Sequence, residues 1–403
     1  MLVTKERLRA GVVVLLAVAA TVSTALSSTL IVLGSLFLLV DILRKKSPYF
    51  DWGFLKMLAL YALLSLVIAA GAEYDSTLSI KDLWSHVYRF LPLVLAMAYL
   101  KRETEFRWVL LGVMLAVFLN SVYAFGQFAQ NPVLSLATRP TGFAGSYTFF
   151  ANFMLMGLVV GAFILMRPDY QRREKAAVGV TMLMAVAALV LNQTRSAWLV
   201  LLILLVLGAL FFKEYRRQLL GVLAVLVIAG VILLSTNPYL QDRAESITDT
   251  AFRSNQERLL MWESALMMFQ DHPLLGVGQG NFGYFYNTEY ISPLAVERAE
   301  HWEDGHGHPH SNLLKYLAEG GIVGLGLFLL VNLYFFYRLW KVYLRERKHG
   351  TLPYATLGLM LLFEVNLMGL VDTNFNQVPI MREVWLLVAV GLVGDSVARV
   401  REN

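Results

Sequence analysis

Long apolar runs dominate this chain, and the breaks between them are mostly short, polar and rich in Lys and Arg. A helix needs about 20 residues to cross the ~30 Å hydrocarbon core of a bilayer, and these runs have that length. The pattern predicts helices near 10–26, 28–43, 52–72, 84–100, 107–127, 147–166, 176–192, 196–212, 218–235, 313–340, 352–371 and 380–398. The first two share one continuous run, too long for a single helix and short for two. The helices at 176–192 and 196–212 are joined only by NQTR. One interruption is long and polar. The chain therefore divides into transmembrane helices one to nine (1–235), a large loop (236–312) and transmembrane helices ten to twelve (313–403).

Within the loop, apolar residues at 259, 260, 262, 266, 267 and 269 recur with helical spacing, which predicts an amphipathic helix over 255–270. It can lie on the membrane surface or beneath a lid. The segment DHPLLGVGQGNF that follows is a turn-rich stretch. Its GVGQGN does not follow a strand of a βαβ unit, so a nucleotide-binding reading fails on context. The fold class expected is an all-α polytopic membrane protein, with about 12 transmembrane helices and short helices in one large periplasmic loop.

Composition narrows the class without changing it. Of 403 residues, 57% are hydrophobic and only 16% charged, and mean hydropathy is +0.58, which excludes an ordinary soluble domain. There is no cysteine, so neither a disulfide framework nor a thiolate metal site is available. The net charge of +5 does not point to nucleic acid, because Lys and Arg collect on the cytoplasmic loops of membrane proteins. Twelve spans with a cytoplasmic N-terminus place 24 of the 34 Lys and Arg inside, and both termini with them. The polar loop then faces the periplasm.

The ten cations left outside are informative because topology does not account for them. They are Lys81, Arg89, Arg139, Arg195, Arg243, Arg253, Arg258, Arg298, Lys315 and Arg382. Arg195 sits in a four-residue turn between two apolar helices, where a cation is costly and marks a functional site more often than a snorkelling side chain. Arg139 precedes a Gly-containing loop that runs into a helix, where it can hold an anion beside the helix N-terminus. Arg258 falls in the first turn expected for the amphipathic helix. There it opposes the helix dipole and suits an anion better than it suits helix stability.

Five of the seven histidines fall within 238–324. His306, His308 and His310 alternate with Gly307 and Pro309, and Glu303 and Asp304 precede them. Three readings are open: a metal site, a general base of near-neutral pKa, or a solvated loop. Several arginines on the same face favour the base, since they can supply the charge neutralisation a metal would otherwise provide. No DxD pair, of the kind that carries Mg²⁺ to a pyrophosphate, occurs on that face.

Four stretches in order, RPTGFAGSYTFFAN (139–152), LNQTRSAWL (191–199), RLLMWESALMMFQDHPLLGVGQGNF (258–282) and HPHSNLLKYLAEGGIVGL (308–325), resemble the O-antigen ligase/polymerase superfamily. The resemblance covers roughly 135–390 and includes the late external loop VDTNFNQVP. It implies a metal-independent, inverting glycosyl transfer at the periplasmic face of the bacterial inner membrane. O-antigen polysaccharide would pass from undecaprenyl pyrophosphate to a sugar hydroxyl of lipid A–core. The implied catalytic residues are His310, Arg195 and Arg258. Arg139, His308, Asn312 and Asp372 are the candidates for substrate binding, and Asp372 is a possible orienting partner of His310. Implied partners are the lipid-linked donor, the lipid A–core acceptor and membrane lipids; no cofactor, metal or nucleic acid is expected. Many members read His-Asn directly, whereas here Ser311 intervenes before Asn312, which leaves the role of Asn312 open.

Two relatives with the same donor chemistry compete: an O-antigen polymerase and a protein O-oligosaccharyltransferase. The latter usually carries an additional C-terminal domain, which a chain stopping at Asn403 is not expected to hold. A transporter is the distant alternative. The candidate charges gather on one side instead of lining a path, and no paired broken helices stand out.

Overall fold

The computed structural model describes residues 2–44, 51–292 and 307–399. Among them it is helical, with no strand. Every predicted span has a helical counterpart, but the counterparts are unequal. Seven are long and apolar enough to cross a membrane: α2 (Thr24–Leu43), α3 (Trp52–Ala70), α6 (Glu103–Gln130), α7 (Tyr147–Met166), α8 (Arg172–Asn192), α10 (Arg216–Thr236) and α14 (Asn312–Glu346). Two apolar helices are shorter, α9 (Arg195–Phe211) and α15 (Tyr354–Met368). Charged residues interrupt the apolar character of α1 (Leu2–Val22) and α16 (Val378–Arg399). The span expected at 84–100 is two helices, α4 (Ser76–Arg89) and α5 (Leu91–Tyr99). Pro92 lies in the first turn of α5, where a missing N–H costs nothing but continuation from α4 is disfavoured.

The first apolar run divides at Ser23, earlier than the predicted 26–28 junction. Ser23 is extended and its Oγ accepts the Leu26 amide at 3.2 Å, an N-cap that starts α2. One continuous core holds the bundle together, with α5, α7, α15 and α16 the most thoroughly buried helices. α10 buries only Leu219 and turns its other faces outward, as a lipid-facing helix does.

The described residues of the polar loop form three helices: α11 (Pro238–Glu245), α12 (Arg253–Asp271) and α13 (Phe282–Thr288). The predicted amphipathic helix is α12, which buries Leu260, Met261, Ala265 and Met268 and packs on α14. The glycine-rich turn before α13 is a docking device. Val277 and Gly278 donate their amides to Ala318 O and Glu319 O, each at 3.0 Å. Gly276 has φ +63°, and a Cβ there would lie 2.4 Å from Ala318 O. On the facing side, Gly321 breaks the helical geometry of α14 at φ 56°, and a Cβ there would lie 2.5 Å from the Leu274 backbone. Only glycine lets these two backbones approach so closely.

Three of the cations that topology left unexplained are buried struts. Lys315 pairs with Glu319. Arg89 donates to Phe375 O at 2.6 Å. Arg382 donates to Ser27 Oγ, Ser28 Oγ and Tyr88 Oη at 2.5–2.9 Å. The topology itself has a direct test. Reporter tags between α7 and α8 and at the C-terminus are expected to read cytoplasm, and one in the 283–300 segment periplasm; the opposite reading for that segment would invert the loop.

Candidate active site

Arg195 is the first residue of α9 and is 8% exposed. Gln193 produces the sharp α8–α9 turn by closing α8 in the left-handed conformation, φ 59°. The Arg195 guanidinium donates to Ser246 O, Ser246 Oγ, Ser254 Oγ and Asn255 Oδ1, and its Cζ lies 4.9 Å from the Phe252 ring centroid. All of these partners are neutral. Arg139 lies over Tyr147, with Cζ 3.6 Å from the ring centroid, at the start of α7. Arg243 on α11 reaches Gln193 O at 3.4 Å and stacks near Phe252 at 5.5 Å. Burial, with Arg139 and Arg258 nearby, pulls its guanidinium below the usual value.

These arginines and Arg258 line one cavity of about 610 Å³. Its other walls are apolar: Leu199, Val200 and Ile203 from α9, and Leu367, Leu370 and Val371 at the end of α15. Among the described residues the one carboxylate on the lining, Glu257, pairs with Arg253 at 2.9 Å. At the other end of the bundle the pattern is reversed. There Arg9 pairs with Asp41 (2.5 Å), Arg167 with Asp169 (2.8 Å), Arg338 with Asp51 (2.5 Å) and Arg107 with Glu174. Four arginines converging without carboxylate counter-charges make a site for a multiply charged anion, and the aliphatic wall beside them suits a hydrocarbon chain.

The position of Arg258 corrects the sequence reading. α12 begins at Arg253, so Arg258 lies in the second turn. The dipole argument applies to Arg253, which Glu257 neutralises. Arg258 faces the cavity because of its place on the α12 surface, beside Leu259 and Trp262 on the same lining.

His310 is linked to the lining of this cavity through its neighbours. Trp262, on the cavity wall, donates its indole N–H to Pro309 O at 2.8 Å, while Val371 on the same wall precedes Asp372. His310 Nδ1 lies 3.6 Å from Asp372 Oδ1. Asp372 is buried, which alone would raise its pKa. His310 beside it, the Thr373 amide at 2.9 Å and nearby His308 hold it below the usual carboxylate range, so it stays ionised. His308 Nδ1 meets Thr373 Oγ1 at 2.6 Å, and the two imidazoles lie 4.5 Å apart, edge to face. The His310 backbone has φ 48°. Among the described residues, His310 and Gln193 are the two non-glycine positions with positive φ, and each adjoins or bears a candidate catalytic group.

Asn312 turns away from the cavity. It is buried, its side-chain Nδ2 donates to Asn374 Oδ1 at 2.7 Å and its backbone N–H donates to Gly369 O at 2.8 Å, so it clamps the Asp372 loop to the start of α14. His301, Glu303, Asp304 and His306 lie outside the described residues. Among the described ones, no three His, Asp or Glu side chains converge as metal ligands. Sequence reasoning had left Arg243, Tyr147, Trp262 and Thr373 without a role. Arg243 was visible among the external cations and Thr373 beside Asp372; nothing local marked Tyr147 or Trp262.

The arrangement defines a helical membrane protein with a cationic, partly apolar cavity and a carboxylate-supported imidazole linked to its lining. A family model described as O-antigen ligase matches residues 180–329, a stretch that holds Arg195, Arg243, Arg258 and His310. The match supports a place in the O-antigen ligase/polymerase superfamily, whose members are glycosyltransferase-like enzymes, and suggests lipid-linked polysaccharide and lipid substrates in general. A search of curated proteins finds no match.

Proposed function

We propose that this protein is an O-antigen ligase of the bacterial inner membrane, with its site facing the periplasm. The observation that carries the reading is the cavity in which arginines with no carboxylate partner among the described residues meet an aliphatic wall, two of whose residues, Trp262 and Val371, adjoin the His310–Asp372 pair. A polyprenyl pyrophosphate has both features, a doubly phosphorylated head and a hydrocarbon tail. Arg139, Arg195, Arg243 and Arg258 hold the pyrophosphate, and Leu199, Ile203 and Leu367 face the first isoprene units.

Undecaprenyl pyrophosphate is a good leaving group, so catalysis needs positioning, charge neutralisation and a base. Asp372 faces His310 Nδ1 and orients the ring, which leaves Nε2 to receive a proton. The acceptor hydroxyl of lipid A–core attacks the anomeric carbon from the face opposite the pyrophosphate. The new C–O bond forms as the bond to the phosphate oxygen breaks, the proton passes to Nε2, and the arginines take up the charge that develops on the leaving group. One-step attack inverts the anomeric centre. This step assigns no task to a metal or cofactor.

A polymerase or a protein O-oligosaccharyltransferase would use the same donor chemistry with another acceptor. Deleting the gene and resolving the lipopolysaccharide on a gel separates them. A ligase is expected to leave core without O-chain while polymer accumulates on the lipid carrier. Core bearing one repeat unit would identify a polymerase instead, and an unchanged ladder would remove both readings.

A further inference from the structure

Asp372 is 3% exposed, and no lysine or arginine among the described residues pairs with it. Its charge is held by the histidines and by neutral donors. Oδ1 accepts the Thr373 amide at 2.9 Å and faces His310 Nδ1. Oδ2 accepts Gln377 Nε2 at 3.2 Å. A buried carboxylate depends on each such donor, because an oxygen left without one costs its full desolvation.

The donor on Oδ2 has no other task. Asp372 is the one hydrogen-bond partner of the Gln377 side chain among the described residues, and Gln377 Oε1 is buried with none. An amide kept in a buried place for packing alone would satisfy both its ends. Here one end goes unsatisfied while the other meets the carboxylate. The reversed amide would set an oxygen against Asp372, so the direction of the bond follows from the charge. The turn between the two residues is fixed. Asn376 N donates to Thr373 O at 3.2 Å and Gln377 N to Asn374 O at 2.9 Å. Four helices pin it from outside. Arg89 of α4 donates to Phe375 O at 2.6 Å, and Asn312 of α14 donates to Asn374 Oδ1 at 2.7 Å. Asn374 in turn donates to Asn152 Oδ1 of α7 at 3.2 Å and to Val365 O of α15 at 2.7 Å.

We propose that Gln377 is a positioning residue for the transfer. It holds Oδ2 of Asp372 so that Oδ1 stays turned to His310, which keeps Nε2 of the ring aimed at the acceptor hydroxyl. This proposal rests on the ligase reading for the reaction, but its first test does not require turnover.

That test is the nitrogen magnetic resonance spectrum of the full-length protein in nanodiscs, with isotope-labelled histidine. The signals lost in His310→Asn are those of His310. A carboxylate facing one ring nitrogen fixes the tautomer and keeps the two nitrogens distinct. In Gln377→Met, which keeps the size and removes the donor, the two His310 signals are expected to move toward each other. Gln377→Asn draws the amide back by one methylene and is expected to move them the same way by less; it decides the matter where the methionine variant does not fold. His272, paired with Glu73 at 2.8 Å, is the control and is expected to stay in place. His310 signals unmoved in the folded variants overturn the proposal.

The second test is transfer to lipid A–core. Gln377→Met is expected to slow it by about 10-fold or more, the scale of one hydrogen bond to a charged group. Undecaprenyl pyrophosphate affinity is expected to stay within about 2-fold of wild type, since the arginines that hold it are untouched. In an Asp372→Asn background the same change is expected to cost less than about 2-fold, because a residue that acts through Asp372 then has nothing left to position. An equal cost in both backgrounds is the mark of a merely structural role and overturns the proposal. If the His310 signals respond but wild-type protein moves no sugar to lipid A–core, the ligase reading fails and the assignment of Gln377 to the Asp372–His310 pair stands.

Discussion

His310→Gln protein is expected to insert, fold and bind undecaprenyl pyrophosphate like the wild type, yet to transfer sugar about 10²–10⁴-fold more slowly, the usual value of general base catalysis. The prediction follows from the geometry around His310. Asp372 faces one ring nitrogen at 3.6 Å and the donor head is held by arginines, so the histidine deals with the acceptor proton and not with the lipid. Glutamine can accept a hydrogen bond but cannot take up a proton at neutral pH. The left-handed backbone at φ 48° requires a control, because a change there can strain the loop whatever its chemistry. His310→Asn supplies it: asparagine tolerates this conformation well, so loss of transfer in both variants assigns the defect to the missing base. Asp372→Asn is expected to lower the rate with donor affinity unchanged. Near-normal transfer by a well-folded His310→Gln variant would end the assignment.

Arg258→Ala is expected to weaken undecaprenyl pyrophosphate binding by about 10- to 100-fold, since a hydrogen bond to a charged group is worth ~1.5–3 kcal/mol. Its melting temperature should scarcely change, because no carboxylate among the described residues pairs with Arg258. Arg195→Ala is expected to weaken binding to a similar degree and to lower the melting temperature as well. The reason is that Arg195 is also a strut, tying α9 to Ser246, Ser254 and Asn255 of the polar loop. Lysine at either position should restore only part of the affinity. It keeps the charge but not the planar fork that grips two oxygens at once. Isothermal titration with the lipid in nanodiscs, beside thermal denaturation, separates the two roles. Unchanged donor affinity in both alanine variants would show that the arginine cavity does not hold the donor.

Much of this was legible along the chain. Hydropathy placed a helix at every span, because a membrane helix must satisfy its own backbone and so depends on little beyond its own length and polarity. The external arginines were conspicuous because a cation there has no topological reason to exist. Where the reading slipped, the deciding contact was distant. The break between α4 and α5 is local, at Pro92, but what keeps α4 beside the bundle is Arg89 reaching Phe375, 286 residues away. Arg258 was placed one turn too early because the start of α12 depends on how the preceding loop closes over Arg195.

The sequence by itself determined the class of protein, the run of helices, and which side chains are of a kind that can bind an anion or move a proton. All of these depend on residue type and near-neighbour spacing. The tertiary structure decided which of those side chains share a space. Arg89 and Arg382 became internal struts because each meets a partner from a distant segment at hydrogen-bonding distance, while Lys315 is held by Glu319 one turn along its own helix. Arg139, Arg195, Arg243 and Arg258, drawn from four separate segments, face one cavity, and no carboxylate among the described residues pairs with them there. The turn from Asp372 to Gln377 is held in place by Arg89, Asn152 and Asn312, which come from three other helices. No local pattern encodes that arrangement, since Asn152 lies 222 residues from Asn374 in the chain and the two meet only when the helices do.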